Sequence, residues 1–200
     1  MQIFGLDQFA TETKDLGHLN EIHRDLLVYH LNLVWQIHPK LRLVPAYVFV
    51  ESNLSQDLAA YVEVSVKSQL ENPLLKFVQQ YDSLGRLLPG VLTRHKANLV
   101  SYFKRVLDEK KLAIASQVSS VSEVLRAKMN NPHMFLLPNQ DYAKKTVAEF
   151  ICQLKEFSQI KKGSKVIFTG KKNNKADDMV MAAILSVAWA RLPNNMYIAK

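Results

Sequence analysis

Apolar positions along the chain keep two rhythms that alternate. Over residues 15–37 they fall at Leu19, Ile22, Leu26, Leu27, Leu33, Val34 and Ile37, the spacing of one helical face, and Pro39 stops the run. Residues 43–50 are almost continuously apolar and rich in β-formers, which predicts a strand covered on both faces. A second helix is predicted over residues 53–70, capped by Asn53 or Ser55. A strand over 74–81 and a loop over 83–90, carrying Gly85, Pro89 and Gly90, come next. Helical spacing returns over 93–111 through Leu99, Phe103, Val106 and Leu107, followed by a short strand at 112–115. The pattern is weakest over 118–138, where a helix is expected at 121–129. A helix over 141–157, a strand over 166–169 and a nearly all-apolar helix over 176–190 complete the order, with a further strand at residues 3–9. Strands alternating with helices predict an α/β layered fold. With no internal repeat and no linker-like stretch, residues 1–200 are expected to form a single domain.

Composition narrows the function classes. The 200 residues are 48% hydrophobic and 22% charged, ordinary for a globular protein, and no apolar run approaches the roughly 20 residues that span a bilayer. No secretory signal is legible at the N-terminus, and Cys152 is the one cysteine, on a helical pattern that makes it a small buried hydrophobe. A net charge of +8 raises the odds of a polyanionic partner. His18, His23 and His30 lack a consistent metal-ligand spacing, no Cys/His pattern supports zinc, and no Gly-x-Ser-x-Gly elbow or phosphate-binding G-x-x-x-x-G-K-[ST] loop is present.

Two acidic positions carry the chemistry. Glu51 follows the most apolar strand, at the carboxyl edge where α/β folds place their sites. Asp177 and Asp178 precede the most apolar helix. Taken singly, a glutamate after a strand is commonly a solvated loop residue, and aspartate at a helix start is commonly a cap. Together, carboxylates converging from a strand end and a helix start can hold divalent ions, and hard oxygen ligands suit Mg²⁺ or Mn²⁺. Two such ions, about 3.5–4 Å apart, can activate a water and stabilise the leaving oxygen in phosphodiester cleavage. Lys161, Lys162, Lys165, Lys171, Lys172 and Lys175 crowd the approach to the aspartates, and a lysine run beside acids fits a phosphate track.

Several segments, in order along most of the chain, resemble the C-terminal nuclease domain of herpesvirus-type terminase large subunits. Thr-Gly-Lys-Lys-Asn-Asn-Lys-Ala-Asp-Asp and the apolar run after it (residues 169–190) are similar to that family's closing segment. Val-Phe-Val-Glu-Ser-Asn-Leu-Ser-Gln (residues 48–56) resembles its strand-Glu-x-Asn-x-x-Gln segment, with Ser52 where the family usually has glycine. Ile-Phe-Gly-Leu-Asp-Gln-Phe (residues 3–9) is similar to the family's second strand, and residues 89–103 to its Thr-x-x-x-Lys segment. The resemblance implies an RNase H-like mixed sheet flanked by helices, N-terminally truncated because the family's first, aspartate-bearing strand has no counterpart after Met1. It implies Glu51 and Asp178 as metal ligands for two Mg²⁺ or Mn²⁺ ions, Asp177 as the neighbouring alternative, and Lys96 as the lysine near the site. It further implies double-stranded DNA, other terminase subunits and the capsid portal as partners, and the host nucleus as location. The expected activity, in the complete protein, is metal-dependent cutting of concatemeric genomic DNA with little sequence preference; the 200 residues alone, without the family's first-strand aspartate, are expected to be weak or inactive. The alternatives are a catalytically incomplete docking module on the same fold, or another RNase H-like nuclease such as a resolvase.

Overall fold

The computed structural model describes residues 2–5, 16–52, 56–82, 84–91, 96–119, 140–163, 165–170, 177–188 and 197–198. The chain divides into two compact units, Ala10–Arg94 with Arg191–Lys200, and Met1–Phe9 with His95–Ala190.

In the first of these units the long apolar stripe becomes α1 (Leu16–Ile37), which packs on α2 (Gln56–Leu70). Ala59, Val62, Val66 and Leu70 fall on one face of α2 and are all buried. Val62, Val66 and Leu70 join Trp35, Val48, Leu75 and Phe77 in a single apolar core, each large side chain contributing roughly 1.5–3 kcal/mol through burial. The sheet in this unit is mixed. Strand β2 (Ala46–Val48) runs parallel to β3 (Leu75–Tyr81), in register from Ala46↔Leu75 to Val48↔Phe77. β3 also pairs antiparallel with β4 (Leu87–Leu88) and with β8 (Tyr197–Ile198).

Two expectations are corrected here. The apolar run over 43–50 is not one strand covered on both faces. Pro39–Leu43 form a 3₁₀ turn, Leu43 is 77% exposed, and the ladder starts only at Ala46. Pro45 is the cause: it has no N–H to donate, and it holds Val44 extended, at φ −122° and ψ 155°. The predicted loop over 83–90 contains a strand, because Asp82 closes a tight hairpin between β3 and β4. Its carboxylate accepts hydrogen bonds from the N–H groups of Leu84 and Arg86, both at 2.8 Å, and from Arg86 Nε at 2.8 Å.

In the other unit, β1 (Gln2–Gly5) pairs parallel with β5 (Ala113–Ser119). The strand predicted at 112–115 therefore runs longer than its apolar core suggested. Helices α3 (Lys96–Asp108), α4 (Gln140–Glu156) and α5 (Asp178–Ala188) follow the predicted periodicity. Leu99, Phe103 and Val106 of α3 are buried, as is Phe150 of α4. α5 packs against both helices and buries Met179, Val180, Met181, Ile184, Leu185 and Val187. A strand that the pattern did not predict, β6 (Ser158–Lys162), pairs antiparallel with β7 (Lys165–Thr169) at every position from Ser158↔Thr169 to Lys162↔Lys165. Its Ser-Gln-Ile-Lys-Lys sequence has too little apolar alternation to announce a strand; the partner strand and the turn at Gly163 create it. The helix expected at 121–129 and the cap positions Asn53 and Ser55 lie outside the described residues. Among the described residues no helix is long and apolar enough to cross a membrane.

The hairpin turn generates a pH test. The Asp82 carboxyl is held below the usual aspartate range, first by the Arg86 N–H and further by the Arg86 guanidinium and the Leu84 N–H. A depressed folded pKa means that the stabilisation is present above the unfolded value, about pH 4, and is lost as pH falls through the folded value. The amide NMR signals of Leu84 and Arg86 should hold steady down to about pH 4 and then move together with the Asp82 carboxyl. In Asp82→Asn that low-pH transition should vanish.

Candidate active site

Glu51 lies just beyond the carboxyl end of β2, and a short stretch of backbone holds it there. Val91 N–H donates to the Val50 carbonyl at 2.8 Å, and Ser52 N–H donates to the Val91 carbonyl at 3.0 Å. Glu51 thus sits in an isolated parallel bridge with Val91, bonded on either side, while the residue itself is exposed. Its neighbour Ser52 is buried, and the Ser52 hydroxyl has no hydrogen-bond partner among the described residues. Gly90 makes this approach possible. It adopts φ +75°, and a Cβ there would lie 2.5 Å from the Val50 carbonyl oxygen and 2.9 Å from Ala59 Cβ.

The two aspartates, adjacent in sequence, have different surroundings. Asp177 is 4% exposed, whereas Asp178, the first residue of α5, is exposed. The Asp177 carbonyl accepts the first hydrogen bond of α5, from Met181 N–H at 3.0 Å, which makes Asp177 the N-terminal cap residue. Its carboxylate reaches back to the end of β7. Oδ2 accepts from the Gly170 N–H at 2.9 Å and from Thr169 Oγ1 at 3.1 Å. Gly170 permits this contact, since a Cβ there would meet Asp177 Cβ at 3.0 Å.

The predicted site residues thus fall on both units: Glu51 on one, Asp177 and Asp178 on the other. Lys96 opens α3 in the unit of the aspartates, with its side chain outside the description. Lys161 is exposed on β6, and Lys162 and Lys165 face each other in the backbone register beside the hairpin turn. Lys171, Lys172 and Lys175 lie outside the described residues. Sequence reasoning gave no role to Thr169, Gly170 or Gly90. Each stood in a quoted segment, but a contact partner seven or eight residues away, or a steric limit, leaves no periodic signal.

As donors, Glu51 and Asp178 are exposed carboxylates of the hard-oxygen kind that Mg²⁺ and Mn²⁺ take. Among the described residues no group of three or more His, Cys, Asp or Glu side chains is gathered as a metal site.

The fold class is α/β, a mixed sheet with flanking helices, and RNase H-like. The chain belongs to the family described as probable DNA packing protein, C-terminus, whose profile matches residues 1–198. Among solved structures it is similar to the human cytomegalovirus terminase nuclease domain, with a TM-score of 0.65 and 16% identity, covering 96% of this chain and 70% of that one. The same domain soaked with Mn gives a TM-score of 0.63 at 15% identity, covering 99% of this chain and 76% of that one. Its Mn-soaked, inhibitor-bound form gives 0.63 at 15% identity, covering 99% and 75%. These likenesses carry the fold, and with the family match they bear out the terminase resemblance read from the sequence. No curated protein matches the chain in sequence.

The crowding at Gly90 makes a direct prediction. Gly90→Ala should destabilise the chain by about 2 kcal/mol or more, because the added Cβ meets a backbone oxygen and a left-handed φ together. Thermal unfolding followed by circular dichroism measures this, and Gly163→Ala, where a Cβ meets nothing within 4 Å, isolates the cost of φ alone.

Proposed function

We propose that the chain is the nuclease domain of a viral DNA-packaging terminase and cuts concatemeric genomic DNA with divalent-metal help and little sequence preference. The observation that carries this reading is the contrast at the start of α5. Asp178 is exposed although Asp177, Met179, Val180 and Met181 around it are all buried. A carboxylate kept accessible on a rigid, otherwise buried helix start is suited to ligand binding. Glu51, exposed at the end of a strand anchored on both sides, has the same character. Family membership supports the packaging context, and the likeness to a nuclease domain studied with Mn supports the metal.

In this reading Glu51 and Asp178 supply the oxygen donors for two Mg²⁺ or Mn²⁺ ions, with Asp177 only the sequence-adjacent alternative to Asp178. Bound divalent ions at such a site supply the activated water and the charge stabilisation that phosphodiester hydrolysis requires. The chain's own residues hold and orient. Glu51 and Asp178 fix the acidic centre, and Lys96 offers a cation beside it. Lys161, Lys162, Lys165, Lys171, Lys172 and Lys175 neutralise phosphates along the approaching duplex, with no reading of base edges. Double-stranded DNA is then the substrate, other terminase subunits and the capsid portal are the assembly partners, and the host nucleus is where the reaction takes place.

Activity and binding test this separately. In the complete protein, Mn²⁺-dependent nicking of supercoiled plasmid should fall at least about 100-fold in Glu51→Gln and in Asp178→Asn, with thermal stability unchanged, since each removes a charged oxygen ligand from an exposed position. Full cutting by either variant would sink the assignment of the acids, and a chain that binds duplex but never cuts would mark a docking module. Reversing Lys171, Lys172 and Lys175 to glutamate should weaken duplex binding without sequence bias and flatten its salt dependence. An unchanged salt titration would leave those lysines as a solvated face.

A further inference from the structure

The adjacent aspartates meet such different surroundings that one role cannot describe both. Asp177 is buried, and its carboxylate Oδ2 accepts two hydrogen bonds, from the Gly170 N–H and the Thr169 hydroxyl. The donors are the last residue of β7 and the residue that follows it, while the Asp177 carbonyl starts α5. One residue therefore fastens a strand end to a helix start, across a six-residue connection. The packing is shaped for this contact, because at position 170 even one added carbon would press on Asp177. Asp178, one residue on, is exposed.

Resting on the metal-nuclease reading above, we propose that the two aspartates divide the work. Asp178 meets the divalent ion. Asp177 is a positioning residue, which fixes the start of α5 against β7 and so sets where the Asp178 carboxylate stands. A helix start without this tie would fray over its first turn, and the Asp178 carboxylate would spread over several positions instead of one. Ligand strength depends on such support: loss of a residue that orients a metal ligand lowers affinity about 10–100-fold without touching the ligand itself.

The test uses the 200-residue chain with Mn²⁺ alone. Free Mn²⁺ is counted by electron paramagnetic resonance during titration, and unfolding is followed by circular dichroism without metal. Asp178→Asn should keep its melting temperature and lose Mn²⁺ affinity at least about tenfold. Asp177→Ala should lose both, since it cuts the tie. Asp177→Asn should recover both, because an amide oxygen accepts the same two hydrogen bonds without the charge. If Asp177→Asn loses Mn²⁺ affinity as steeply as Asp178→Asn while keeping its melting temperature, Asp177 is itself a ligand and the division of labour is wrong. It is equally wrong if Asp177→Ala changes neither quantity. Failure of the underlying metal reading has its own signature: Mn²⁺ binding that is absent from the unmodified chain, or that Glu51→Gln and Asp178→Asn leave untouched.

Discussion

The hydrogen bonds that Asp177 accepts from Gly170 and Thr169 are the tie on which the placement of α5 in its unit depends. α5 is the most thoroughly buried helix of that unit and packs against both α3 and α4. A helix so apolar has a strong drive to be buried but little to decide its axial position, because sliding one apolar residue past another costs little transfer energy. A buried, directional contact at its first turn removes that freedom. The buried carboxylate carries a desolvation cost, which its two donors offset. The exposed Asp178 inherits a fixed position from its buried neighbour.

A comparable device operates at Glu51, made from backbone alone. The bonds between Val91 and residues 50 and 52 hold the chain after β2 in place, and Gly90 allows the two segments to approach. In both places the acidic residue is exposed while other groups hold the backbone. That arrangement suits a ligand that must keep its geometry while exchanging water for ions or substrate. The buried Ser52 hydroxyl, without a partner among the described residues, is the one departure from economical packing here. It stands where the resembling family usually has glycine, and nothing else in the structure explains it.

Most of the helices were legible in the chain. α1 and α3 follow apolar stripes whose spacing reports the buried face directly, and Leu99, Phe103 and Val106 are buried where the rhythm put them. The strands were legible only where they are apolar. β3 was predicted within residues 74–81, whereas the polar β6 exists because β7 pairs with it residue by residue. Pairing is a property of two segments, so one segment's composition cannot announce it. The error at residues 43–50 runs the other way: apolar composition suggested a strand, and Pro45 denied the first part of it a place in the ladder.

By itself the sequence determined the α/β class, the order of the major elements and the positions of Glu51, Asp177 and Asp178 at element boundaries. These follow from local periodicity and from where apolar runs stop, both of which are written in consecutive residues. Periodicity alone did not rank Asp177 against Asp178, because neighbours at a helix start have equal claims until a contact distinguishes them; only the family resemblance favoured Asp178. The tertiary structure distinguishes their surroundings, bringing Thr169 and Gly170 against Asp177 and leaving Asp178 exposed. The difference is physical: burial and hydrogen bonding depend on which distant groups arrive, and only folding brings them.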